Sequence, residues 1–328
     1  MTLTNSQTPA TVSGFQQMMT VSSYSSYESA GLQNVEFTSG NPATSGGTPL
    51  YAWCESGCTN SVSSVLWVNL GSSTIGASGG TLTVYMNFMP SSVMTSSTAY
   101  IGEAPQLYGG SYAQASYAQY DNGALTFPSF YDNFAGTTLS AKWTQVSNAA
   151  TTISKTVNNG ITLIITDSGA SSPYYAYYSS SSFLPPNAIR TSAQIYGVSG
   201  IYPGDFGFGD YYNTYIGVYE QAYTSAQYCF GSGIGVSHQT NGPGHSADSN
   251  YHIWDGYWSA SSANFLVDGS SQYVSSTDIP STANPVTIGN LGAGGNQGSV
   301  TGMSVHWILV HAYPPGGVMP TAGFGSVV

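Results

Sequence analysis

Short apolar runs that alternate with polar residues, each closed by Gly, Ser, Asn or Pro, recur along this chain. Val65-Leu66-Trp67-Val68-Asn69-Leu70 and Leu82-Thr83-Val84-Tyr85-Met86-Asn87-Phe88 show the pattern. Ile161–Ile165, Ala193-Gln194-Ile195-Tyr196-Gly197-Val198 and Asn264-Phe265-Leu266-Val267-Asp268 repeat it. A period of two places one set of side chains on each face of a pleated strand. Helical periodicity is confined to one or two turns at Tyr24–Ala30 and an ambiguous stretch at Tyr112–Tyr120. Two dipeptides read as hairpin turns, because both tolerate positive φ. Asn159-Gly160 separates Thr152–Val157 from Ile161–Thr166, and Asp268-Gly269 leads into Gln272-Tyr273-Val274. The expected fold class is all-β.

A chain of 328 residues suits two domains of this kind. The strand pattern breaks at Gly109-Gly110-Ser111 and the Tyr/Ala/Gln stretch after it. The expected architecture is two β-sandwich or jelly-roll domains, 1–105 and 128–328, joined by a linker at 106–127. The first should hold about six strands and the second about twelve.

Charge is scarce: 3 Lys/Arg against 14 Asp/Glu, a net −11. Phosphate recognition needs several cations, so nucleic acid and anionic lipid are excluded as partners. The chain is 41% hydrophobic and 13% aromatic, with 26 Tyr and 6 Trp, so it has a core to bury and is not disordered. Solubility rests on hydroxyls and amides. Such a surface tolerates acid, where carboxylates lose their charge. That points to an extracellular or cell-surface protein of a harsh habitat. Met1–Gly14 lacks the basic and apolar regions of a signal peptide, so a leader is expected to have been removed already. No run approaches the ~20 apolar residues that a membrane-spanning helix needs. None of the 19 Asn begins an N-glycosylation sequon.

Cys54-Glu55-Ser56-Gly57-Cys58 places two thiols across turn chemistry, and a disulfide between Cys54 and Cys58 is expected. Cys229, between Tyr228 and Phe230, reads as a buried free thiol.

Several segments resemble an archaeal family of secreted or cell-surface proteins of unknown function. They include Thr2-Leu3-Thr4-Asn5-Ser6-Gln7, Leu32-Gln33-Asn34-Val35-Glu36-Phe37 and Gly102-Glu103-Ala104-Pro105-Gln106-Leu107. Phe130-Tyr131-Asp132-Asn133-Phe134-Ala135-Gly136-Thr137 and Ala312-Tyr313-Pro314-Pro315-Gly316-Gly317-Val318-Met319-Pro320 belong to the same set. The resemblance implies a small β-sandwich followed by a laminin-G or concanavalin A-like jelly roll. It brings no catalytic residues.

The sequence holds few motifs that carry chemistry. Glycoside hydrolysis needs two carboxylates flanking one bond, and the sequence lacks the run of acids on alternate strand residues by which jelly-roll glucanases supply them. Gly76-Ala77-Ser78-Gly79-Gly80 fits a nucleophile-elbow pattern but lies in a turn ahead of a strand rather than a helix. His238, His245 and His252, with Asp248 nearby, match no metal spacing. Asp205 and Asp210 flank Gly-permitted turns and are the candidate Ca²⁺ ligands. Tyr211, Tyr212, Trp254 and Trp258 are the candidate glycan-stacking residues.

No enzyme activity is expected from this inventory. The expected function is a structural subunit of an extracellular filament, thread or surface layer, with copies of itself as partners. Subunits would join by β-strand addition, with Leu3, Val318 and Phe324 in the donor ends. A glycan-binding adhesin, with surface glycans as partners, is the alternative.

Overall fold

The computed structural model describes residues 1–44, 46–90, 100–147, 152–166, 175–196, 205–209, 214–220, 227–235, 239–241, 245–246, 248, 250–290 and 300–327. These residues are almost all β, as the alternation requires. They form two compact units, Met1–Asp132 with His311–Val328, and Asn133–Val310.

The first unit begins with β1 (Thr2–Asn5), β2 (Gln16–Val21), β3 (Val35–Thr38), β4 (Pro49–Leu50), β5 (Ala52–Ser56), β6 (Ser64–Asn69), β7 (Gly80–Thr83), β8 (Tyr85–Phe88), β9 (Ile101–Glu103) and β10 (Phe130–Asp132). One sheet has the order β2-β6-β5-β9, with β5 and β9 parallel, and another the order β4-β3-β8. The run Leu82–Phe88 is divided. Val84, buried and bonded through its N–H to Met1 O, separates β7 from β8, which lie in different sheets. Cys54, within β5, and Cys58, just past its end, form a disulfide across the positive-φ Gly57.

The second unit holds β11 (Trp143–Ser147), β12 (Thr152–Val157), β13 (Ile161–Thr166), β14 (Tyr175–Phe183), β15 (Asn187–Tyr196), β16 (Asp205–Gly209), β17 (Tyr215–Glu220), β18 (Gln227–Gly233), β19 (Gln239–Asn241), β20 (His245–Ser246), β21 (Tyr251–Trp258), β22 (Ala263–Val267), β23 (Ser270–Ser275), β24 (Asn284–Asn290) and most of β25 (Val300–Ala312). Two sheets result, β12-β13-β25-β15-β21-β22-β23 and β11-β14-β24-β16-β17-β18-β19. Both turn dipeptides close hairpins. Asn159 (φ 56°) and Gly160 (φ 118°) join β12 to β13, and Asp268 (φ 49°) and Gly269 (φ 76°) join β22 to β23.

The two sheets meet through aromatic side chains. Phe206 lies edge-on to Trp254 at 5.5 Å, Phe208 meets Trp258 at 5.2 Å, and Phe230 stacks on Phe265 at 5.5 Å. Each pair spans the sandwich. Burying rings of this size supplies about 1.5–3 kcal/mol each.

The expected domain limits need correction in two places. Residues 106–127 are no linker. Glu103 accepts the N–H groups of Ala113 and Gln114, and the Gln114 amide donates to Ala104 O. Asp121 accepts from Trp53 Nε1 and from the Tyr131 hydroxyl. One helical turn, α1 (Gly123–Thr126), then brings Phe127 against Trp53 and Trp67. The second domain also does not run to 328, because the chain returns to the first unit. Ala312 N donates to Gln16 Oε1, Gln17 Nε2 donates to Pro320 O, and β26 (Thr321–Gly323) pairs with β1.

That return corrects the strand-donor expectation for Leu3. The residue is fully buried, with Ala322 opposite it on one side and Leu82 on the other. Both ladders of β1 are filled by its own chain, so β1 has no open edge to offer. Val318 and Phe324 flank β26 and are 48% and 36% exposed.

Candidate functional site

The strand alternation of β25 presents two different faces. Met303, Val305 and Trp307 are buried, and Ser304 and His306 alternate with them, so their side chains point to the opposite face. Tyr251, the first residue of β21, reaches across β15 on that face and stacks on His306. The ring centroids are 3.8 Å apart and the planes are inclined by 7°. Tyr251 remains 41% exposed.

The β12–β13 hairpin forms the other side of a cleft of about 230 Å³. Its turn contributes Asn158, Asn159 and Gly160, and its strands contribute Thr156 and Thr162. The turn is held in place. Asn158 N donates to Gly160 O, Asn159 Oδ1 accepts Gly136 N, and the Thr162 and Ser304 hydroxyls bond at 2.8 Å. Among the described residues, no acidic or basic side chain lines the cleft, apart from the imidazole. Burial lowers His306 to about 4, so its ring is neutral at pH 7. Its Nδ1 lies 3.4 Å from the Ser192 hydroxyl. The cleft is thus an exposed ring on a rigid backing, edged by neutral donors and acceptors.

At the same end of β21, His252 bridges two carboxylates. Its Nδ1 meets Asp268 at 2.6 Å and its Nε2 meets Asp248 at 3.0 Å. Burial alone would lower His252, but the bonds and charges of Asp268 and Asp248 outweigh it and raise it. Asp248 is held well below the usual carboxylate range by the backbone and side-chain N–H groups of Asn250, then by His252. Both imidazole nitrogens are therefore occupied by acceptors. Among the described residues, no group of three or more His, Cys, Asp or Glu is placed to hold a metal.

The residues singled out in the sequence are distributed differently. Trp254 and Trp258 are fully buried, and their indole N–H groups donate to Ala193 O and Pro280 O. They build the sandwich core, which corrects their assignment to a glycan platform. Asp210, Tyr211, Tyr212 and His238 lie outside the described residues. Asp205 opens β16 opposite Gly289, and Cys229 sits in β18 opposite Tyr219. Ser78 lies in a positive-φ turn before β7, with its N–H on Gln7 O. The Tyr251–His306 pair escaped sequence reasoning because 55 residues separate its members, and only strand order brings them together.

No protein-family model matches the chain. A curated relative, "Uncharacterized protein 562" of Sulfolobus islandicus rod-shaped virus 1, is 33% identical over 132 residues. The match covers 40% of this chain and 21% of that protein, so the chain spans about a fifth of its relative's length. Among solved structures, a β-1,3-1,4-glucanase from a mouse hindgut metagenome is 17% identical. It covers 56% of this chain and 98% of its own, with a TM-score of 0.44. A glycosyl hydrolase family 16 protein from Mycobacterium smegmatis is 16% identical, with coverage of 55% and 98% and a TM-score of 0.45. The β-glucanase of Bacillus licheniformis is 17% identical, with coverage of 56% and 97% and a TM-score of 0.43. These neighbours are enzymes, and the expectation that this chain has no enzyme activity is withdrawn on that finding. Likeness at this level transfers no reaction. Among the described residues, no helix is long and apolar enough to cross a membrane.

Proposed function

We propose that this protein binds uncharged saccharide outside the cell, at the Tyr251 cleft. One observation carries the reading: a half-exposed tyrosine ring, backed face to face by a neutral imidazole and edged by amides and hydroxyls. A pyranose offers an apolar face to such a ring and hydroxyls to the groups around it. An acidic sugar would find no cation there, since neither lysine nor the single arginine lines the cleft. The extracellular setting is supported by the scarcity of charge and by the resemblance to secreted archaeal proteins. Calorimetric titration with neutral oligosaccharides tests the reading. Tyr251→Ala, a surface change, should weaken binding roughly tenfold without altering the circular dichroism. Equal affinity in the variant for every neutral sugar bound would remove the cleft from consideration.

An assembly built from copies of the chain is the second reading, and one strand favours it. β23 ends its sheet, has no charged residue, and exposes Val274 by 58%. Natural edge strands are usually blunted by charge or proline. Electron microscopy of concentrated protein should show particles larger than one chain, reduced by Val274→Lys. Single particles at all concentrations would exclude this reading.

A further inference from the structure

The first unit contains a larger groove, about 690 Å³, that shares no residue with the Tyr251 cleft. Its rings are arranged in tiers. Tyr27 stacks on Phe88 with centroids 5.5 Å apart and planes inclined by 29°, and Tyr24 meets the same ring at 5.5 Å. Tyr27 is 52% exposed.

The rings are held by backbone contacts. Glu28 accepts the Tyr24 N–H at 2.8 Å, and the Tyr27 and Glu28 N–H groups close a turn on Tyr24 O. The Asn34 amide then donates to Tyr27 O at 2.7 Å. Phe88 and Asn87 are set by the pairing of β8 with β3, where they lie opposite Val35 and Glu36. The segment from Phe324 to Val327 lines the groove as well.

Among the described residues the lining has no acidic or basic side chain, and its charged group is the Met1 α-ammonium, which donates to Val84 O at 2.7 Å, although the protein carries a net charge of −11. An anionic polymer would be repelled by the net charge, and a cation would meet the Met1 ammonium and no carboxylate side chain among the described residues of the groove. The remaining chemistry is flat aromatic faces beside the amides of Asn41 and Asn87. This combination suits a ligand that is apolar on one face and hydroxylated at its edges. The volume lies within the range of small-ligand sites and is three times that of the Tyr251 cleft.

We infer that the groove formed by Tyr24, Tyr27, Phe88 and the 324–327 segment is a second saccharide site, taking a longer stretch of uncharged glycan than the Tyr251 cleft. The ligand class rests on the preceding functional reading, whereas the residues are independent of it.

The test uses the full chain in a Tyr251→Ala background, so that the first unit is read alone. The probes are cellohexaose, maltohexaose and mannohexaose, each with its disaccharide, measured by calorimetry. At least one hexasaccharide should bind, more tightly than its disaccharide. Adding Tyr27→Ala should weaken it roughly tenfold. Truncation after Gly323, which leaves β26 whole, should weaken it too. Unchanged affinity in both second variants overturns the inference and leaves the Tyr251 reading standing. Binding equal to wild type in the Tyr251→Ala background, lost with Tyr27→Ala, supports the groove and removes the cleft. Tighter binding of 1-octanol than of any hexasaccharide overturns the groove's ligand class. No hexasaccharide binding to the wild-type protein overturns both sites.

Discussion

The two units treat their few ionisable groups in opposite ways. In the first unit, Glu103 is buried against N–H groups, with no cation. Desolvation raises it to about 7 despite the bonds from Ala113 and Gln114. Glu28 and Glu36 are raised too, chiefly by burial. In the second unit, charge is matched with charge. Arg190 on β15 bonds Asp255 on β21 at 2.6 Å, both buried, and His252 is clasped by two carboxylates. A carboxyl that folding prefers protonated rewards acid, whereas an ion pair needs its acid ionised. The two halves of one chain should therefore respond differently to pH.

The largest expected effect tests the ion pair. Arg190→Ala leaves Asp255 buried without its cation, which costs about 3–5 kcal/mol. Hydrogen exchange should show the loss in β15 and β21, with the first unit protected as before. A loss below ~1 kcal/mol would mean that the pair is solvated and that the contrast between the units is false.

The next effect concerns Glu103. Its folded value lies above its unfolded value of 4.5, so its contribution is complete below pH 4.5 and is lost as pH rises through about 7. The decline should be on the order of 2 kcal/mol and confined to the first unit. Glu103→Gln should remove most of that slope in urea unfolding measured from pH 4 to pH 8, leaving the smaller share of Glu28 and Glu36. An undiminished slope would assign the effect to another group.

The smallest effect is at His252. Its value is raised above 6.5, so its contribution is present below that pH and lost as pH rises through the folded value. Asp248 is lowered from 3.8, so its contribution holds above 3.8 and is lost only in stronger acid. The clasp is complete between these limits. Both carboxylates are well exposed, so His252→Gln should cost no more than about 0.5 kcal/mol at pH 5.5. Exchange rates at the β22–β23 turn should report it, and unchanged rates would show that the clasp orders nothing.

The groups behind these effects were only partly legible in advance. Scarcity of charge was visible in the composition. Which carboxyl would be buried was not visible, since Glu103 and Asp248 carry the same ionisable group and what packs around each sets its burial. The aromatic residues show the same limit. Trp254 and Tyr251 stand three positions apart on β21, yet one is core and the other lines a cleft. The facing sheet made the difference, because it places Phe206 and Phe230 against Trp254. Trp254 and Trp258, chosen for ring type alone, therefore fell in the core.

Local chemistry decided what could be decided within a few residues. Alternation made strands, Asn159-Gly160 and Asp268-Gly269 made hairpins, and Cys54 and Cys58 were close enough to join across a turn. These depend on backbone geometry that neighbouring residues set. Strand order, the return of the C-terminal segment to β1, and the stacking of Tyr251 on His306 depend on contacts between distant residues. Such contacts form only when the whole chain finds the arrangement that buries its apolar faces together, and no short stretch carries that information.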